Sequence, residues 1–204
     1  MALTSSRTAV RSTSEGGITE RIEARFGLLA LFVGSIWAAF FISAALPGLH
    51  LDSLGVIPRR VVGLRGILFA PFLHASLAHI MANTGGLVIL GWLTMWPRLE
   101  GFWSALAGSM IGAGLCAWSL GAPGSVHIGA SGVVFGFAGY LIARGWYTRN
   151  FLSVIVALFV MFSYGISMLF GVLPINPLVS WQSHLGGTVG GILAARLSAP
   201  AHRK

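Results

Sequence analysis

Acidic side chains are scarce. Asp and Glu together number 5 in 204 residues, and charged residues of all kinds make up 9% against 55% hydrophobic. A soluble domain carries about a quarter charged residues to cover its surface, so water is excluded as the main solvent of the fold and a lipid bilayer takes its place. Cysteine is nearly absent too: Cys116 stands alone, which rules out an intramolecular disulfide. Its place in an apolar run between Leu115 and Ala117 reads as packing. The net charge of +8 raises the question of a nucleic-acid partner, which would need Lys and Arg gathered on one face. The arginines stand at the ends of apolar runs instead, so no nucleic acid is expected.

The first apolar run, residues 26–46, follows Arg21 and Arg25 and ends near Ser43, Ala44 and Ala45, a small-residue stretch like a signal-peptide cleavage site. Its 21 residues exceed the roughly 7 to 15 of a signal h-region and suffice to cross about 30 Å of hydrocarbon, so it reads as a permanent span. Five more apolar segments follow, at residues 78–96, 101–120, 130–146, 151–172 and 181–197. The expected fold is therefore all-α, a polytopic membrane bundle with six transmembrane helices in residues 26–198. Residues 1–25, polar and without apolar periodicity, are expected to form a disordered tail, and residues 199–204 a short one. A long connection, residues 47–77, carries Pro47, Pro58, Pro71, Arg59, Arg60 and Arg65; its apolar stretch 66–72 is too short to span and is expected to lie in the interface.

Ten Lys and Arg fall on the side of the two termini and three on the side of the long loop. The positive-inside rule then puts both termini in the cytoplasm and the loop outside, as for a protein of a bacterial cell membrane. No Asp or Glu lies within a span, and the polar side chains that do converge on one depth. Ser131 is 13 residues from Arg144 and His184 is 12 from Arg196, which at about 1.5 Å per residue puts both roughly 18 to 20 Å above the inner boundary. Asn83 and His79, 15 and 19 residues from Arg98, fall in the same outer half.

Glycines offer a way for these residues to meet. Gly132 with Gly136, Gly186 with Gly190 and Gly187 with Gly191 each have the four-residue spacing that lets membrane helices approach closely, although such faces also serve simply to pair helices. Ser131, in Gly129-Ala130-Ser131-Gly132 after a loop with Pro123 and Gly124, starts its helix. There a serine can be an ordinary N-cap. It can also be a nucleophile whose oxyanion is stabilised by free backbone N–H groups and the positive helix end, given His184 as its base. His74-x4-His79-x3-Asn83 is a third constellation, with His79 and Asn83 on one helical face. Polar residues bonded to backbone, a metal site and donors aimed at developing negative charge all fit it; a metal site would lack a carboxylate or cysteine ligand. His127 and His50 lie in loops and receive no role. A transporter pathway would also put polar groups in spans, but near the midplane between repeated halves, and no repeat is visible.

From about Leu64 onward the chain resembles the rhomboid intramembrane serine proteases. It carries His74-x4-His79-x3-Asn83, Gly129-Ala130-Ser131-Gly132 and His184-x2-Gly187-x3-Gly191 in that family's order, on the second, fourth and sixth spans. The resemblance implies a Ser131–His184 catalytic dyad with no acidic third member, no metal and no cofactor. It implies an oxyanion hole of His79, Asn83 and the Ser131 N–H, with Gly129 shaping it and His74 structural. It also implies transmembrane proteins as substrates, cleaved near the outer end of a span. Two positions depart from the family pattern: Phe135 stands where Tyr is frequent, and Leu64-Arg65 where a Trp-Arg pair is.

Overall fold

The computed structural model describes residues 5–199, with side chains from Gly17 to Ala199. Among the described residues six long helices account for the six apolar segments: α1 (Ser5–Ala45), α3 (Leu77–Thr94), α4 (Glu100–Leu120), α5 (Ser131–Thr148), α6 (Phe151–Gly171) and α7 (Trp181–Ser198). A short helix, α2 (Gly66–Phe69), sits in the long connection between 3-10 turns at Val61–Arg65 and Ala70–Phe72. The stretch expected to lie in the interface is thus a string of helical turns, not a span. Three helices begin on a side-chain cap. Ser76, Asn150 and Ser180 accept from the backbone N–H of His79, Ser153 and Ser183, satisfying donors that have no partner within the helix.

Of these helices, residues Gly17–Ala45 of α1, together with α3, α4 and α6, are each long and apolar enough to cross a membrane. α5 and α7 are 18 residues each, and their glycines and polar groups dilute the apolar signal. They can carry these because they lie inside the bundle, where neighbours and not lipid cover them. α7 runs between α4 and α5, its two closest partners. A Cβ at Gly186 would strike the Gly112 carbonyl of α4, one at Gly190 the Gly108 carbonyl, and one at Gly187 or Gly191 the Gly132 or Gly136 carbonyl of α5. Backbone touches backbone on both sides of α7, so Ala at these positions would push the helices apart. On the far side of α5 a dry core of Ile80, Leu87, Leu90, Phe102, Phe137 and Leu141, each 0–1% exposed, fixes α3 and α4.

The N-terminal segment differs from its expectation. α1 begins at Ser5, so the polar residues expected to be disordered continue the first span as helix. Propagating a helix from an existing span adds a hydrogen bond per residue without a new nucleus. Arg25 then anchors it, donating to the Pro97 carbonyl at 2.9 Å with its guanidinium 4.1 Å from the Trp96 ring centre. Residues 1–4 and the end of the C-terminal tail, 200–204, lie outside the described residues.

The long connection is tied down by polar contacts to the 121–130 turn and α4. Val56 and His127 exchange backbone hydrogen bonds of 2.9 and 3.0 Å. Arg59 donates to the Gly121 carbonyl at 2.7 Å, and Arg65 to the Ser53 carbonyl at 2.9 Å. Leu64 has no polar handle, but Trp118 of α4 donates its indole N–H to the Arg60 carbonyl at 2.9 Å. A tryptophan from a neighbouring helix thereby anchors the loop.

Candidate active site

The approach to Ser131 is set by Gly129, whose φ of +119° is closed to residues with a side chain. Its N–H donates to the Ala70 carbonyl at 2.9 Å. A Cβ there would lie 2.6 Å from His79 Cε1 and 2.7 Å from its Nε2, so the His79 ring rests on bare backbone. The N-cap position of α5 is Ala130, which makes no side-chain cap. Ser131 is the first helical residue, and the N-cap account of its hydroxyl falls away. The Ser131 N–H is among the first-turn donors that have no acceptor within the helix.

The hydroxyl is directed at α7. His184 Nε2 lies 2.8 Å from Ser131 Oγ, and its Nδ1 lies 2.9 Å from the Gly171 carbonyl at the end of α6. A carbonyl only accepts, so Nδ1 carries the proton; in the neutral ring Nε2 is then the free lone pair, and it accepts from the Ser131 hydroxyl. The imidazole is 7% exposed and stacks on Phe135, ring centres 3.9 Å apart and planes 13° from parallel. The departure from Tyr at 135 therefore leaves the packing contact in place.

The third constellation comes together beside Gly129. Asn83 Nδ2 lies 3.0 Å from His74 Nε2, and the Ala130 N–H donates to the same nitrogen at 3.3 Å. Both are donors, so His74 Nε2 is the acceptor and Nδ1 bears the proton, directed towards the Phe72 carbonyl at a geometry short of a full hydrogen bond. Burial, with repulsion from His79, holds the His74 imidazole down at about 4 against the opposing influence of the Phe72 carbonyl. His74 therefore stays neutral and accepting near pH 7. The His74 and His79 rings meet edge to face at 4.9 Å. Gly132, next to the serine, faces Ala113 of α4 and the Ser183 carbonyl of α7.

Every predicted site residue thus lies in one contiguous region: Ser131, His184 and Phe135 in direct contact, and His79, Asn83 and His74 around Gly129. Sequence reasoning missed the Gly171 carbonyl, a backbone group that no residue type advertises. It also gave no role to His127, whose side chain proves to be bonded to Ser125 and Ser180.

A polytopic helical membrane protein thus holds a serine hydroxyl against an imidazole of fixed tautomer. Residues 62–200 match the Rhomboid domain. An uncharacterized protein of Mycobacterium tuberculosis is 41% identical over 167 residues, covering 78% of this chain and 69% of the relative; a Mycobacterium bovis protein matches to the same extent. An uncharacterized protein of Mycobacterium leprae is 38% identical over 162 residues, 76% of this chain and 64% of the relative. The chain belongs to the rhomboid family of integral membrane proteins, intramembrane proteases that act on membrane-protein substrates.

Proposed function

We propose that this protein is an intramembrane serine endopeptidase that cuts transmembrane segments of other proteins near their outer end, with Ser131 as nucleophile and His184 as base. The observation that carries this reading is the 2.8 Å contact between Ser131 Oγ and His184 Nε2, with Nδ1 held by the Gly171 carbonyl. His184 takes the hydroxyl proton as Oγ bonds to the substrate carbonyl carbon. The resulting oxyanion is met by the Ser131 N–H, His79 and the Asn83 N–H not engaged with His74. His184 then gives its proton to the leaving amine as the C–N bond breaks. Water, deprotonated by the same imidazole, hydrolyses the ester and restores Ser131. His74 acts one step removed, as a neutral acceptor that holds the Asn83 amide.

With both termini cytoplasmic, the site opens towards the outer leaflet. A cavity of about 280 Å³ lined by Ser43, Asp52, His74 and Ile128 offers water a route to this region. A substrate helix hides its carbonyls in its own hydrogen bonds, so segments that unwind at small or helix-breaking residues are the expected targets.

The test is cleavage of tagged single-span reporters in membranes, together with fluorophosphonate labelling. Wild-type protein should cleave and label, and Ser131→Ala and His184→Ala should do neither. Cleavage that persists in either variant would overturn the dyad, and a wild-type chain inert in both assays would count against the protease reading and for a silent relative that binds transmembrane helices without cutting them.

A further inference from the structure

His127 is four residues before Ser131, and Ser180 is four residues before His184. These two positions touch: His127 Nδ1 lies 2.6 Å from Ser180 Oγ. Ser180 is the N-cap of α7, accepting from the Ser183 N–H at 3.3 Å, and its hydroxyl donates to Ser183 Oγ at 2.8 Å. Its carbonyl accepts the backbone N–H of His184 itself at 3.1 Å. On the other side, His127 is fixed at both ends of its ring and along its backbone. Nε2 lies 3.0 Å from Ser125 Oγ, and its N–H and C=O pair with Val56. The segment leading into α7, residues 172–180, has little else to hold it: most of it is exposed, and α6 makes far less contact with α7 than with α5.

We propose that the His127–Ser180 hydrogen bond is a clasp that sets the position of the first turn of α7 against the first turn of α5, and thereby the alignment of His184 with Ser131. His127 and Ser180 are positioning residues: neither is placed in the Ser131–His184 pair or the oxyanion hole. The glycine contacts of α7 hold its middle at Gly186, Gly187, Gly190 and Gly191; towards the Ser180 end Gly132 faces the Ser183 carbonyl, and the cap adds a directional side-chain bond to that contact. The clasp adds a constraint from the same turn that delivers Gly129 and Ser131. This inference rests on the protease reading above for its catalytic consequence, but not for the geometry of the clasp.

Two isosteres separate positioning from general stability. The Asn amide overlays Nδ1 of a histidine and the Gln amide overlays Nε2, so His127→Asn keeps the bond to Ser180 and His127→Gln keeps only the one to Ser125. In full-length protein, His127→Ala, His127→Gln and Ser180→Ala should each slow fluorophosphonate labelling of Ser131 by about tenfold, as small misalignments of a reacting pair do. His127→Asn should stay within about threefold of wild type, and the His127→Ala/Ser180→Ala double variant should be no slower than the slower single, as for two ends of one interaction. Hydrogen exchange of residues 181–187 should quicken in His127→Ala and His127→Gln but not in His127→Asn, whether or not the protein cleaves anything. Unchanged exchange and labelling in His127→Ala, or equal behaviour of the Asn and Gln variants, would overturn the clasp. A wild-type chain that neither labels nor cleaves, but whose exchange responds as described, would remove the protease reading and leave the clasp standing.

Discussion

Gly171 offers the sharpest single perturbation of the site, because it touches both the His184 imidazole and the Phe135 ring stacked on it. Its carbonyl holds His184 Nδ1 at 2.9 Å. A Cβ built there would collide with Phe135 Cζ, approach Cε1 to 2.7 Å and stand 3.1 Å from His184 Nδ1. Ordinary carbon contacts lie at about 3.5 to 4.0 Å, so in Gly171→Ala the Phe135 ring must retreat by on the order of 1 Å. The imidazole stacked 3.9 Å from it must follow or tilt. A reacting pair displaced by about 1 Å loses on the order of a hundredfold in rate. Labelling of Ser131 by a fluorophosphonate should therefore fall by about two orders of magnitude in Gly171→Ala, with the fold intact by near-ultraviolet circular dichroism. Shrinking the obstructing ring should restore part of the loss, so Gly171→Ala/Phe135→Leu should label faster than Gly171→Ala alone. Labelling of Gly171→Ala at the wild-type rate would refute the argument that the end of α6 aims the base.

Two further outcomes follow from His74, which precedes α3, and from Trp118 near the end of α4. His74 is held at about 4 against an ordinary 6.5, so between those values the unfolded chain binds the proton and the folded one does not. Stability is then complete above pH 6.5 and declines as pH falls towards 4. The gap is worth about 3 kcal/mol at roughly 1.4 kcal/mol per pH unit. His74→Gln, which keeps an acceptor for the Ala130 N–H but cannot titrate, should unfold with a flatter pH dependence across this window, and an unchanged slope in thermal melts would count against the assignment. Trp118→Phe removes the donor to the Arg60 carbonyl while keeping most of the ring. It should cost about 1 kcal/mol and raise protease sensitivity in residues 59–65 without altering labelling of Ser131; loop cleavage at the wild-type rate would mean the anchor lies elsewhere.

Much of this site could be read from residue types because the bilayer makes polar side chains conspicuous. Ser131 and His184 stand out on apolar spans, and counting from Arg144 and Arg196 puts them at one depth before any coordinates are known. The glycines of α5 and α7 likewise predict close approach. The α4 side of that packing, Gly108 and Gly112, was not singled out, because a spacing shows that a face is smooth but not which helix lies on it. The tail before Phe26 looked unstructured by composition, whereas helix propagation and the Arg25 contacts are decided by tertiary neighbours. The Gly171 carbonyl and the His127–Ser180 bond escaped for related reasons: one is backbone, and the other joins two loops whose approach only the fold reveals.

In the proposed mechanism the Gly171 carbonyl stands where a carboxylate would otherwise orient His184. An ionised Asp buried at this depth would carry a desolvation penalty of several kcal/mol, and none of the 5 acidic residues lies in the six apolar segments of the sequence. A peptide carbonyl fixes the same tautomer without a net charge. It is a weaker partner for the imidazolium that the proposed proton transfer from Ser131 would form, and there Phe135 would have a second use. A ring stacked face to face on His184 at 3.9 Å offers its negative face to that transient cation, an attraction on the order of 1 kcal/mol or more once water is excluded. Replacing Phe135 by Leu in otherwise unchanged protein should therefore slow acylation more than its loss of packing alone would, whereas Phe135→Tyr, which retains the face, should not.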